Sequence, residues 1–335
     1  MEVGQIGILG SGSWATALAK IVLENQPTLH WYVRKEEDVK AFKQSGHNPK
    51  YLSSVPFDTE RITFFTERSV NDFVRSCNTL FLVTPSPYIK SYLDRIRSSS
   101  LRGRWVVSAI KGIVPEANRL ISEYLEEKFK HPQELIGVIG GPSHAEEVAE
   151  SRSSYLTVGG KTIAQAEELA RVLRNDYISC ATSTDVVGIE YSSVLKNVYA
   201  IAAGICNGLS YGDNFQSVLI SNAIAEMNNF VNTVNLINTR TITDSVYLGD
   251  LLVTAYSHYS RNRTFGNMIG RGYSVKAAQM EMSMVAEGYY GVKCIEEVNQ
   301  MRYRVNMPIT DAVYNILYRK ADAKQVMTRL AGLFK

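Results

Sequence analysis

The feature that most constrains this chain is an apolar run, Gln5-Ile-Gly-Ile-Leu9, that ends on Gly10-Ser-Gly12-Ser13-Trp14-Ala15 and passes straight into a helical pattern. A strand, a glycine turn and a helix in that order form the opening of a β-α-β unit, whose strands lie parallel. The chain then keeps alternating. Strand-like runs recur at Leu29–Val33, Ile62–Phe65, Thr79–Thr84, Trp105–Ile110, Leu135–Ile139, Tyr155–Val158 and Tyr177–Cys180. Helical patterns at Ser13–Glu24, Ser69–Arg75, Tyr88–Ser98, Pro115–Lys128, His144–Glu150 and Ile163–Leu173 occupy most of the gaps. The alternation predicts a parallel, doubly wound, Rossmann-like α/β sheet. After Thr184 the strand signal stops, and the rest reads as helices joined by polar connections such as Asn207–Asn214 and Arg271–Ser274. The expected organisation is a dinucleotide-binding domain over 1–184 and an all-α domain over 185–335 that carries substrate binding and catalysis.

Composition narrows the function. A chain of 335 residues, 45% hydrophobic and 21% charged, is that of a globular protein long enough for two cores. No apolar run reaches the ~18 residues that a membrane span needs. Residues 1–10 enter a strand directly, without a basic segment or cleavage signature, so the expected location is cytoplasmic. The four cysteines, Cys77, Cys180, Cys206 and Cys294, are dispersed and form no Cys-x-x-Cys pair, which argues against zinc and against a disulfide framework. A net charge of +3 with scattered Lys and Arg does not suit nucleic acid, although basic groups inside a pocket would favour an anionic small molecule.

The turn after the first strand is the G-x-G-x-x-A form of the dinucleotide fingerprint. Gly10 permits the tight turn, Gly12 lets the backbone approach a pyrophosphate, and Ala15 keeps the helix close to the sheet. About 20 residues on, the second strand should end in an acid that binds the ribose hydroxyls of NAD. Here it ends in Arg34-Lys35, which favours a 2′-phosphate and hence NADPH, while Glu36 and Glu37 keep NADH open. Two later strand ends carry polar groups toward the same edge. One is Lys111-Gly112, which offers a cation. The other is Gly140-Gly141-Pro142-Ser143-His144-Ala145, with backbone and Ser143 donors at a helix start.

In the helical half, Glu190-Tyr-Ser-Ser-Val-Leu-Lys196-Asn197 opens a long, nearly uncharged helix. Lys196, Ala200, Ala203 and Asn207 share one face of small side chains, which leaves room for a ligand. Burial there lowers a lysine pKa and suits proton exchange with a hydroxyl, whereas the plain alternative is a lysine that snorkels out of a core helix. Asp250 and Thr254 share a face in Leu248-Gly-Asp250-Leu-Leu-Val-Thr254. Arg261 and Asn262, in Ser260-Arg-Asn-Arg263, offer a guanidinium fork and an amide suited to a phosphate or carboxylate.

Taken in order, Gly10-Ser-Gly-Ser-Trp-Ala, Lys111-Gly, Gly141-Pro-Ser-His-Ala-Glu, Glu190 to Asn214, Leu248-Gly-Asp250-Leu, Ser260-Arg-Asn-Arg-Phe-Gly and Val285-Ala-Glu287-Gly resemble the motifs of bacterial NAD(P)-dependent glycerol-3-phosphate dehydrogenase. The resemblance spans nearly the whole chain. It implies reversible reduction of dihydroxyacetone phosphate to sn-glycerol 3-phosphate, the backbone of glycerophospholipids. It also implies cofactor contacts from Ser13, Trp14, Arg34, Lys111, Ala145, Arg261, Val285 and Glu287. Around the substrate it implies Lys111, Gly141, Ser143, Lys196, Asp250, Ser260, Arg261 and Asn262, with Lys196 as the proton partner of hydride transfer. The chain departs from the pattern at Ala15, which replaces a commoner glycine, at Arg34, and over Asn235 to Val246, which lacks a glycine-rich approach to Gly249-Asp250. Two other functions are weighed beside it: a β-hydroxyacid or ketopantoate-type reductase of the same plan, and a non-catalytic NAD(P) sensor. The expected partner is a small phosphorylated metabolite, with a homodimer left open.

Overall fold

A computed structural model describes residues 2–334. Its strands are β1 (Ile6–Leu9), β2 (Leu29–Tyr32), β3 (Ile62–Phe65), β4 (Thr79–Leu82), β5 (Trp105–Ser108), β6 (Ile136–Gly140), β7 (Ser154–Gly160) and β8 (Ile178–Ser183). They form one sheet in the order β3-β2-β1-β4-β5-β6-β7-β8. Every residue of β1, β4, β5 and β6 is buried, as a sheet covered on both faces requires. The register pairs Leu9 with both Tyr32 and Leu82, and Leu82 with Ser108, so four strands end at one level. The order reverses at β1, whose neighbours β2 and β4 lie on opposite sides. That is the switch point at which open α/β sheets bind ligands.

Around the sheet lie α1 (Ser13–Asn25), α2 (Glu36–Ser45), α3 (Val70–Ser76), α4 (Ser86–Leu93), α5 (Ser98–Leu101), α6 (Ile121–Phe129), α7 (Ala145–Ala149) and α8 (Ile163–Arg171). The sequence reading names no helix at α2, although its signals are present: Glu36, Glu37 and Asp38 in the first turn and Gly46 beyond the last, with φ of 71°. Phe42 from α2 meets Trp31, Phe57 and Phe64 edge-on or tilted in an aromatic cluster.

Three features differ from expectation. First, β6 and β7 pair antiparallel within the otherwise parallel sheet. Their connection carries only α7, a helix of five residues and about 7.5 Å. That is too short to traverse the sheet face, so the chain turns over the carboxyl edge and re-enters in the opposite direction. Second, the helix read as Pro115–Lys128 begins at Ile121. The preceding residues are held by a Val114–Arg119 bridge, and Asn118 takes a φ of 49°. Third, Lys111–Leu120 groups with the helical half: one unit holds residues up to Ile110 plus Ile121–Val186, and the other holds Lys111–Leu120 plus Val187 onward.

The second unit comprises α9 (Val186–Gly208), α10 (Asp213–Val234), α11 (Asp250–Tyr256), α12 (Arg261–Gly270), α13 (Val275–Glu281), α14 (Glu287–Val298), α15 (Pro308–Tyr318) and α16 (Ala323–Ala331). Every residue from Gly188 to Cys206 is buried, which makes α9 the axis of the unit. α12 crosses it at backbone contact. A Cβ on Gly266 would stand 2.1 Å from the Ile201 carbonyl oxygen, and one on Gly204 2.1 Å from that of Arg263. The missing side chains let the two helices approach at Ile201–Gly208, one turn and more beyond Lys196. Among the described residues, no helix is long and apolar enough to cross a membrane.

Candidate active site

In the first unit, β1 ends at a turn that accepts only glycine. Gly10 has φ of 132°, and a Cβ there would lie 2.1 Å from the Val83 carbonyl oxygen. The turn is fixed from below. Trp31 Nε1 donates to Gly10 O at 2.7 Å, and Asn48 Nδ2 donates to Ser11 O at 3.1 Å and to Thr16 Oγ1 at 2.7 Å. Gly12 is the N-cap of α1, makes no side-chain cap bond, and has no atom within 4 Å of where its Cβ would stand. An open helix N-terminus above a rigid glycine turn fits a pyrophosphate. Ser13 is buried and Trp14 half-buried at the start of α1.

At the carboxyl ends of β2 and β3 lies an open depression of about 450 Å³, lined by Arg34, Lys35, Glu36, Glu37, Thr66, Glu67 and Arg68. Lys35 is paired with Glu37 at 2.9 Å and Arg68 with Glu36 at 3.6 Å. Arg34 is exposed and makes no ion pair among the described residues. The loop after β6 places Gly141 at φ of 107° and buries Ser143 and Ala145. Ser143 stands just before His144, the N-cap of α7, and its Oγ donates to Gly141 O at 3.0 Å. The Ser143 oxygen is left to accept.

In the second unit, Lys196 is 3% exposed and Asp250 1%. Lys196 Nζ donates to Asp250 Oδ1, and Asp250 Oδ2 faces Lys111 Nζ at 4.0 Å. One carboxylate therefore sits between two ammonium groups. Burial pushes the Lys196 pKa down to about 7; the Asp250 charge opposes this and the Lys111 charge reinforces it. A π-helix over Ser245–Gly249 delivers Asp250 to the first position of α11. Such a bulge shifts helix register and often marks a functional position. Thr254 Oγ1 donates to Asp250 O at 2.6 Å and steadies that turn.

Ser260 caps α12 by accepting from Arg263 N at 3.3 Å. Arg261 is exposed, and Asn262 Oδ1 accepts from Gly288 N at 2.9 Å. That bond leaves the Asn262 amide hydrogens as donors at a helix N-terminus. Glu287 is the first residue of α14, with Val285 just before its cap, Ala286. Thus Lys111, Lys196 and Asp250 meet directly, and Ser260, Arg261 and Asn262 share one turn. The residues around Gly10 and Gly141 belong to the first unit. Sequence reasoning assigned no role to Asn197, whose Nδ2 donates to Lys111 O at 3.1 Å, nor to Trp31 and Asn48 beneath the glycine turn. Adjacency to Lys196 was the only available signal for Asn197; those for Trp31 and Asn48 are tertiary.

The fold and its glycine turn define a dinucleotide-binding protein of the doubly wound α/β class. Family models described as the N-terminus and C-terminus of NAD-dependent glycerol-3-phosphate dehydrogenase match residues 5–166 and 185–328. The chain belongs to the NAD-dependent glycerol-3-phosphate dehydrogenase family. A glycerol-3-phosphate dehydrogenase (NAD(P)+) of Bacillus cereus (strain G9842) is 32% identical over 331 residues, covering 98% of this chain and 95% of that protein. One from Chlorobium limicola is 32% identical over 327 residues, 97% and 96% of the two chains. The crystal structure of glycerol-3-phosphate dehydrogenase from Coxiella burnetii superposes with a TM-score of 0.89 at 27% identity, over 98% of each chain. A 2-dehydropantoate 2-reductase from Geobacter metallireducens, at 14% identity and TM-score 0.54 over 95% and 100% of the two chains, shares the fold alone.

Proposed function

We propose that this protein catalyses the reversible NAD(P)H-dependent reduction of dihydroxyacetone phosphate to sn-glycerol 3-phosphate, in a cytoplasmic setting that feeds glycerophospholipid synthesis. The observation that carries the reading is the buried Lys196, held against Asp250 with a pKa near the working pH. When bound, the reduced nicotinamide supplies the hydride that adds to the carbonyl carbon. Lys196, as the ammonium, stabilises the developing alkoxide and gives it a proton, so one hydride and one proton convert the ketone to the secondary alcohol. In the reverse direction neutral Lys196 takes that proton. Asp250 orients Lys196 and balances its charge, and Lys111 adds positive potential beside it. Arg261 and the Asn262 amide hold the phosphate, which fixes the carbonyl in one pose.

Gly10, Gly12, Ser13 and Trp14 bind the cofactor in this reading, with Ala145, Val285 and Glu287 as further contacts and Gly141, Ser143 and Ser260 completing the substrate side. The exposed Arg34 would hold the adenosine 2′-phosphate and so favour NADPH over NADH. The homodimer remains part of the proposal, to be tested by sedimentation equilibrium. Initial rates with dihydroxyacetone phosphate and a panel of 2-keto acids, each with NADPH and NADH, test the whole reading. Cofactor is expected to be oxidised with the ketone phosphate, faster from NADPH. Turnover of a keto acid without turnover of the ketone phosphate would overturn the assignment.

A further inference from the structure

One turn ahead of Lys196, α9 carries two adjacent serines that the mechanism does not use. Ser192 is 1% exposed and Ser193 2%, and neither Oγ has a hydrogen-bond partner among the described residues. Buried hydroxyls are rarely left unpaired, and serine in a helix ordinarily bonds back to the preceding turn. Their positions around the helix separate them. At 3.6 residues per turn, Ser193 lies about 60° from Lys196 and about 40° from Asn197, inside the sector that these two bound. Ser192 lies on the other side of Lys196, about 20° from Tyr199. Tyr199 faces Glu226 of α10 and Thr310 of α15.

The sector around Ser193 is that of the site. Lys196 donates to Asp250, Asp250 faces Lys111, and Asn197 donates to the Lys111 carbonyl. Long helical side chains lean toward the helix N-terminus, which for Lys196 is the turn that holds Ser193. The phosphate end can be placed along the same axis. Asn262 is bonded to Gly288 N, and a Cβ on Gly288 would lie 2.6 Å from the Asn197 carbonyl oxygen. The Asn262 end of the site is thus level with Asn197. A ketone phosphate whose phosphate points there and whose carbonyl faces Lys196 directs its other substituent one turn back, at Ser193.

We infer that Ser193 is a further substrate-contacting residue, its hydroxyl hydrogen-bonding the free primary hydroxyl of the three-carbon ketone phosphate. This rests on the reductase reading above. It makes Ser193 a specificity determinant, because a site that pairs with a substrate hydroxyl disfavours an analogue that lacks it.

The experiment compares kcat/KM for dihydroxyacetone phosphate and for hydroxyacetone phosphate, in which a methyl replaces the hydroxymethyl group, in wild type, Ser193→Ala and Ser192→Ala. Alanine suits a helix interior, so both variants should fold. Ser193→Ala is expected to lose about three- to tenfold on dihydroxyacetone phosphate and to stay within twofold of wild type on the analogue. Ser192→Ala should leave the ratio of the two substrates unchanged. Equal losses on both substrates, no loss on either, or a selective loss in Ser192→Ala instead would overturn the inference. A wild-type enzyme that reduces neither compound sinks the reductase reading, and this inference with it, a result distinct from the other three.

Discussion

Replacing Gly266 by alanine sets two physical expectations against each other. In an isolated helix the change stabilises by about 1 kcal/mol, because alanine restricts the unfolded chain and favours helix. Here the new Cβ would lie 2.1 Å from the Ile201 carbonyl oxygen, where ordinary contact begins at 3.4 Å. The helices must therefore part by about 1.3 Å (3.4 − 2.1), since backbone cannot swing aside as a flexible side chain does. Overpacking of this kind costs about 1–3 kcal/mol. The larger effect falls on the site. Asn262 stands one turn before Gly266 on the same helix, so displacing α12 displaces the turn proposed to hold the phosphate relative to Lys196. A shift of about 1 Å can cost about a hundredfold in rate. Thermal unfolding and steady-state kinetics, with far-UV circular dichroism as a check on folding, should show a Tm lower by several degrees and kcat/KM down by one to two orders of magnitude. Gly204→Ala, which meets Arg263 O at 2.1 Å, should do the same, and the double variant should lose less than the sum. A Tm that holds or rises in Gly266→Ala, with kcat/KM within twofold of wild type, would refute the close crossing and its hold on the Asn262 turn.

Other perturbations probe separate parts of the molecule. Lys196→Ala should bind NADPH with near-normal affinity, measured by fluorescence titration, yet lose most turnover; wild-type turnover would remove Lys196 from the mechanism. In wild type the reductive rate should fall as pH rises through about 7, where the Lys196 ammonium is lost, and the oxidative rate should rise there. Asp250→Asn removes a charge that raises the lysine pKa, so the limb should move about one pH unit or more lower; a limb that stays put or moves higher contradicts the pairing. Arg34→Ala should raise KM for NADPH more than KM for NADH, and equal changes would detach Arg34 from the 2′-phosphate.

Glu226 offers a test of stability rather than activity. This buried carboxylate of α10 accepts from Ile309 N at 2.7 Å, Thr310 N at 3.0 Å and Thr310 Oγ1 at 2.7 Å, and burial pushes its pKa up to about 7. Between its ordinary value of 4.5 and about 7 the folded state holds a proton that the unfolded state has released. Stability therefore falls as pH rises across that window, by an amount on the order of 3 kcal/mol. Asp311, pushed up to about 7 by burial beside Glu296, acts with the same sign. Urea titrations of Glu226→Gln between pH 5 and 7.5 should show a shallower decline than wild type, though not a flat one. An unchanged slope would exclude Glu226 as its source.

Much of this molecule could be read from local pattern. The glycine turn after β1, the alternation up to Thr184 and the helix around Lys196 each rest on spacing that survives folding intact. The misreadings occur where a short connection or a tertiary partner decides. Nothing in Gly141–Ser153 announces that its helix stops after five residues and reverses the strand that follows. Pro115 and the residues after it look helical until Asn118 turns away to donate to Glu297. Within the site, the resemblance places Lys196 and Asp250 around one substrate, and packing brings these two residues, 54 apart in sequence, into a direct hydrogen bond. The π-helix before Asp250 has no sequence counterpart, because a register slip of one residue leaves the apolar pattern almost unchanged.

The ten residues Lys111–Leu120 belong to the helical unit although the chain enters the sheet again after them. The helical half is therefore not a cassette that can be cut out at a single point. A fragment beginning at Val187 would retain Lys196 and Asp250 but lose the ammonium at 4.0 Å on the far side of that carboxylate. Recombination with a related chain at the apparent border would likewise pair Asp250 from one parent with Lys111 from the other. A chimera that keeps its charge balance must take the short segment and the long one from the same source.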